Sequence, residues 1–160
     1  MSVELDPIRG VLVQYGTVSP DQKRGAVILD DDLYKYVEYV FSYNDLPTYA
    51  VDGYTATIPS GATIQEVSVD VITTFAGAGT ETFDIGLYTP AGVAVDANGL
   101  VAAAAITSLT AGSHVAGAGA VVGTNTTADT QVVVAASAAT VTAGKARLLI
   151  KYTPKPAATA

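Results

Sequence analysis

TIQEVSVDVITTF, Thr63 to Phe75, alternates apolar and polar side chains with a period of two. Val67, Val69, Val71 and Phe75 share one side, while Glu66, Ser68 and Asp70 share the other. A helix would repeat at three and four residues instead, so the stretch reads as a strand with one face buried. A strand of this kind needs a sheet to pair with and a second layer to cover its apolar face. FDIGLY repeats the pattern with Phe83, Ile85 and Leu87 inward. KARLLIKY does so with Ala146, Leu148, Ile150 and Tyr152 inward and Lys145, Arg147 and Lys151 outward, Leu149 being an apolar exception among the charges. The continuous run VVVAA, Val132 to Ala136, suits a strand covered on both faces.

Turn signals separate these strands: PSGA at Pro59–Ala62, AGAG at Ala76–Gly79, TPAG at Thr89–Gly92 and TAG at Thr142–Gly144. Many short strands at such spacing predict an all-β fold, a jelly-roll-like antiparallel β-sandwich. LYKYVEYVFSY also fits a helical stripe through Leu33, Tyr36, Val37, Val40 and Phe41, but its β-branched and aromatic content favours strand. From Asn98, GLVAAAAITSL reads as a short helix capped by Asn98, or else as an irregular excursion between strands. Gly10, Gly16, Pro20 and Gly25 break up the first thirty residues, which read as an extended N-terminal arm. The expected organisation is an arm over 1–32, a sandwich over 33–154 and a flexible tail over 155–160.

Charge and composition exclude several classes. Eight basic against fifteen acidic residues give a net charge of -7, which argues against nucleic acid, because that affinity comes from Lys and Arg displacing counterions. With no Cys, neither disulfides nor thiolate metal sites form. The acidic opening MSVELDPIRG lacks the basic-then-apolar build of a signal peptide. The longest apolar run, LVAAAAI, is far short of the ~20 residues of a membrane helix, so no membrane partner is expected.

Motifs for chemistry fail one by one. VDANGL, Val95 to Leu100, resembles the middle of a calcium loop, but with Gly99 at position 6 the two ends of the cage fall on Ala94 and Ala105. Asp96, Asn98 and Gly99 read better as a turn. Asp30, Asp31 and Asp32 alternate in direction if extended and so do not converge on one ion. His114 is the single histidine, and its neighbour Ser113 points to the opposite face of a strand, leaving no nucleophile and base pair. Glu81 and Asp84 are the nearest approach to a glycosidase carboxylate pair. GAGAVVG, Gly117 to Gly123, fits no phosphate-loop pattern. The chain is read as no enzyme, with no cofactor and no metal.

Two surface features remain. The outward basic set Lys145, Arg147 and Lys151 suits cross-strand pairing with acids such as Glu66 and Asp70, or docking to an acidic partner. The tyrosines gather early in the chain, and Tyr15, Tyr34, Tyr36, Tyr39, Tyr43 and Tyr49 are the candidate partner-binding residues. Tyrosine couples a large contact area to one polar tip and is enriched at binding hot spots.

IPSGATIQEVSVDVITTF, ETFDIGLYTPAGVAVDANGLVAAAAI, AGSHVAGAGAVVG and TAGKARLLIKY together resemble the small β-rich decoration, or cement, proteins of tailed-bacteriophage capsids. The resemblance covers about Pro47 to Pro154 and lies in texture and strand order. It implies a virion structural protein on the outer capsid surface, a homo-oligomer and by analogy a trimer, that bridges neighbouring major capsid proteins. A carbohydrate- or receptor-binding β-module of a phage tail or fibre is the alternative.

Overall fold

The computed structural model describes residues 34–45, 57–138 and 140–155, together with strand backbone at 4–6, 10–14 and 27–30. The first-strand reading of LYKYVEYVFSY holds: β4 runs Lys35–Ser42 and ends in a 3-10 turn at Tyr43–Asp45. The other strands of the body are β5 (Thr57–Ile58), β6 (Thr63–Ala76), β7 (Thr82–Tyr88), β8 (Ala94–Ala105), β9 (His114–Ala116), β10 (Thr130–Ala136) and β11 (Ala143–Thr153). They form two antiparallel sheets, β4-β11-β6-β9 and β5-β10-β7-β8. Counted along the body, that is first-eighth-third-sixth against second-seventh-fourth-fifth, the strand order of a jelly roll, in which only the β7–β8 hairpin stays within one sheet. Before the body, β1 (Glu4–Asp6), β2 (Gly10–Gln14) and β3 (Val27–Asp30) extend the first sheet from the edge of β4.

The core lies between the sheets and follows the alternation of the sequence. Val67, Val69, Val71 and Phe75 of β6 meet Phe83, Ile85 and Leu87 of β7, with Leu148 and Ile150 of β11 wholly buried beside them. Burying each such side chain stabilises the fold by about 1.5–3 kcal/mol relative to exposure. Three phenylalanines join the layers at one end. Phe41 lies 6.0 Å from Phe75 within the first sheet, and Phe75 meets Phe83 of the second edge-on at 4.9 Å. Val133 and Ala135 of β10 are buried as well as Val132 and Val134, as expected for a strand covered on both faces.

Two expectations are corrected by β8. Neither a chain-reversing turn at Asp96–Gly99 nor the helix from Asn98 forms, because the segment is extended and pairs with β7 on both sides of the unpaired stretch Ala97–Leu100. Tertiary pairing overrides the helix propensity of the alanines, and the irregular register before Val101 lets the adjacent Leu100 and Val101 both reach the core. The strand is not regular. Leu87 faces Asp96 but Ile85 faces Val101, so the residues between form a bulge. There the Asp96 carboxylate accepts the Asn98 N–H, the local bond expected of the turn. In this segment helical character is confined to one 3-10 turn, Ile106–Ser108, which follows the strand.

A candidate interaction face

On its outer side the first sheet is charged, and register sorts its side chains into rows. Tyr36, Lys151 and Glu66 stand opposite one another across β4, β11 and β6. Val40, Arg147, Asp70 and His114 form a second row that ends on β9. In the first row the Lys151 ammonium lies 3.9 Å from the Tyr34 ring centroid and 6.0 Å from that of Tyr36. Each such cation–π contact is worth about 0.5–1 kcal/mol at an exposed site. In the second row Arg147 Nη2 donates to Asp70 Oδ2 at 2.7 Å, and His114 Nδ1 lies 2.8 Å from Asp70 Oδ1. The hydrogen bond from His114, and then that from Arg147, hold the Asp70 carboxyl below the usual carboxylate range.

The candidate tyrosines are divided by this geometry. Tyr34 and Tyr36 come together around Lys151 on the outer face. Tyr39 turns the other way, as alternation along β4 requires, and packs at the margin of the core with its ring stacked 6.3 Å from Phe41. Burial, and then the charge of Asp45, push its phenol up to about 12. Tyr43 is half-buried in the 3-10 turn after β4. Tyr15 and Tyr49 lie outside the described residues, as do Asp31 and Asp32. The sequence reading offered Asp70 to the basic set, and Arg147 takes it. His114 was missed as its second partner, because three residues of β9 pairing with β6 bring it there and nothing local announces that.

The groups considered for catalysis are committed to backbone. Glu81 is buried, and its carboxylate accepts Ala78 N–H, Gly79 N–H and the Thr140 hydroxyl. The Thr140 bond first, then the backbone bonds, pull its pKa down to about 2, where it serves poorly as a general acid near neutrality. Asp84 accepts the N–H of Ala103, a non-glycine residue at φ 47°. The Ser113 hydroxyl makes no hydrogen bond within the described residues, so it is not coupled to His114. In GAGAVVG the N–H groups of Gly117, Gly119, Val121 and Gly123 are spent on Val67, Leu100, Gly99 and Ile64 carbonyls, leaving no cradle for a phosphate. A β-carbon on Gly119 would lie 2.2 Å from the Gly99 oxygen, so this glycine serves close backbone packing. Among the described residues no three His, Asp or Glu side chains come together as metal ligands would.

Fold and face thus define a jelly-roll β-sandwich with a mixed-charge, aromatic outer surface. It is similar in structure to a chain in the acidic stable capsid structure of Helicobacter pylori bacteriophage KHP30, with a TM-score of 0.56, 17% identity, and coverage of 79% of this chain and 92% of that one. Weaker likenesses are to chains in the capsid of Ralstonia phage GP4 (TM-score 0.49, 22% identity, 81% and 90% covered) and in the Cyanophage Pam1 capsid asymmetric unit (TM-score 0.46, 18% identity, 88% and 94% covered). No family model matches the sequence, and no curated protein matches it.

Proposed function

We propose that this chain is a structural protein of a tailed-phage virion, seated on the outer surface of the capsid, where it ties neighbouring major capsid proteins together as a cement. The observation that carries this reading is the sandwich shared with a chain of the KHP30 capsid structure over 92% of that chain. The commitment of Glu81 and Asp84 to backbone amides agrees with a role that transforms no substrate. Bridging works by adding buried interfacial area between subunits, which raises the free energy needed to separate them. The outer face of β4, β11 and β6 is the docking surface in this reading, with the Tyr34, Tyr36 and Lys151 cluster as its anchor, since desolvated aromatic and cationic groups dominate interface energetics.

The test is co-sedimentation of the purified protein with undecorated capsids. The wild type should pellet with the particles, and Tyr34→Ala with Lys151→Glu should weaken pelleting at least tenfold. No pelleting of the wild type at any salt or pH would refute the reading. Antibody label over the tail instead of the head would favour the carbohydrate- or receptor-binding alternative.

A further inference from the structure

The two sheets differ sharply in charge. Between Asp84 and Lys145 the sequence carries formal charge at neutral pH only on Asp96 and Asp129. All of β8 and β10 of the second sheet fall in that interval, with most of β7. Its few acids are turned onto backbone: Asp84 accepts Ala103 N–H, Asp96 accepts Asn98 N–H and Asp129 accepts Ser60 N–H. The Lys and Arg residues nearest in sequence, Lys145, Arg147 and Lys151, belong to the opposite sheet.

Within this neutral side, the β7–β8 hairpin exposes apolar groups in series. Val93 is 63% exposed and Val95 41%, with Pro90, Ala91 and Ala94 exposed around them. The tip is rigid, because Thr89 and Val93 are linked by backbone bonding and the Thr89 hydroxyl accepts the Val93 N–H. β8 is also the outermost strand of its sheet; apart from Gly99 and Leu100, whose carbonyls accept the Val121 and Gly119 N–H groups, its edge adjoins the hairpin and carries neither Lys nor Pro to discourage pairing with another chain.

We propose that the β7–β8 hairpin and the adjoining neutral edge of β8 are the surface through which copies of this chain bind one another. The occupant follows from charge. Identical chains of net charge -7 repel wherever their acidic surfaces meet. They associate most easily through a surface with almost no charge, and the cores of protein interfaces are depleted of charged residues in the same way. Exposed valines on a rigid hairpin supply the apolar contact, and the bulge at Asp96 leaves an irregular edge that selects a matching partner. This inference deepens the proposed function by naming where subunits of the oligomer meet.

Light scattering on the free protein tests it without capsids, so its outcome is separate from that of capsid binding. The wild type should have a mass that is a multiple of 16.2 kDa, retained in 1 M salt, where the Debye length is about 3 Å. Val93→Glu with Val95→Glu should reduce the mass to that of one chain, with an unchanged circular dichroism spectrum, both side chains being exposed. A monomeric wild type overturns the proposal. So does an oligomer that survives the double substitution, or one that is lost on Arg147→Glu and Lys151→Glu but kept by the hairpin variant.

Discussion

Gly144 and Phe75 pack so closely that a β-carbon on Gly144 would lie 2.1 Å from the Phe75 Cδ1 atom. Gly144 also has a φ of 132°, outside the range that L side chains readily adopt. The first residues of β11 therefore close directly over the aromatic cluster. Gly144→Ala should destabilise the protein by about 1–3 kcal/mol through overpacking. A lower urea midpoint with an unchanged slope is the expected result, partly restored by Phe75→Leu in the same chain.

Glu81 makes stability depend on acid. Its folded pKa of about 2 lies below the ordinary 4.5, so its stabilising contribution is complete above about pH 4.5 and disappears as pH falls toward 2. Glu81→Gln should melt at a lower temperature than the wild type at pH 7, and the two should converge near pH 2. Thermal melts at both pH values check this.

Tyr39 gives the opposite dependence at the alkaline end. Its phenol ionises near 12 in the folded chain and near 10 when unfolded, so its contribution is intact below pH 10 and is lost as pH rises toward 12. Denaturation midpoints between pH 9 and 12 should fall less steeply for Tyr39→Phe than for the wild type.

The Arg147–Asp70–His114 row is exposed, with side-chain exposures of 46%, 35% and 57%. Solvent screening limits such a pair, and Arg147→Ala should cost less than about 1 kcal/mol, less still in 1 M salt. Asp70 holds both partners, so Asp70→Asn should cost more than Arg147→Ala at pH 7. Because the Asp70 carboxyl sits below its ordinary range, that excess should fade as pH falls through the carboxylate range. Double-mutant cycles in guanidinium-free urea titrations measure both effects.

What the sequence made legible was periodic. The inward residues of β6, β7 and β11 could be read off by counting in twos, since the pleat imposes that count. Counting fails where the strand has an extra residue. Ile64 shares parity with Glu66 and should face outward, yet it is wholly buried, because Lys151 pairs with Glu66 while Tyr152 pairs with Ile64 and skips Gln65. The alanines of β8 misled for another reason: their local preference is helical, and only the partner strand β7 makes them extended. The face around Lys151 was half legible. Tyr34 and Tyr36 were in the candidate set, but the separation of Tyr39 from them is a matter of strand phase, and the meeting of His114 with Asp70 is one of topology.

β11 runs between β4 and β6, and those two strands do not pair with each other. The strand that unites β4 and β6 thus comes after every other described strand in the chain. Until Ala143–Thr153 emerges, a nascent chain has the margins of that layer without the piece that unites them, so closure of the body awaits this strand. Chains cut short upstream of Ala143 would yield no smaller version of the sandwich, only material for proteolysis.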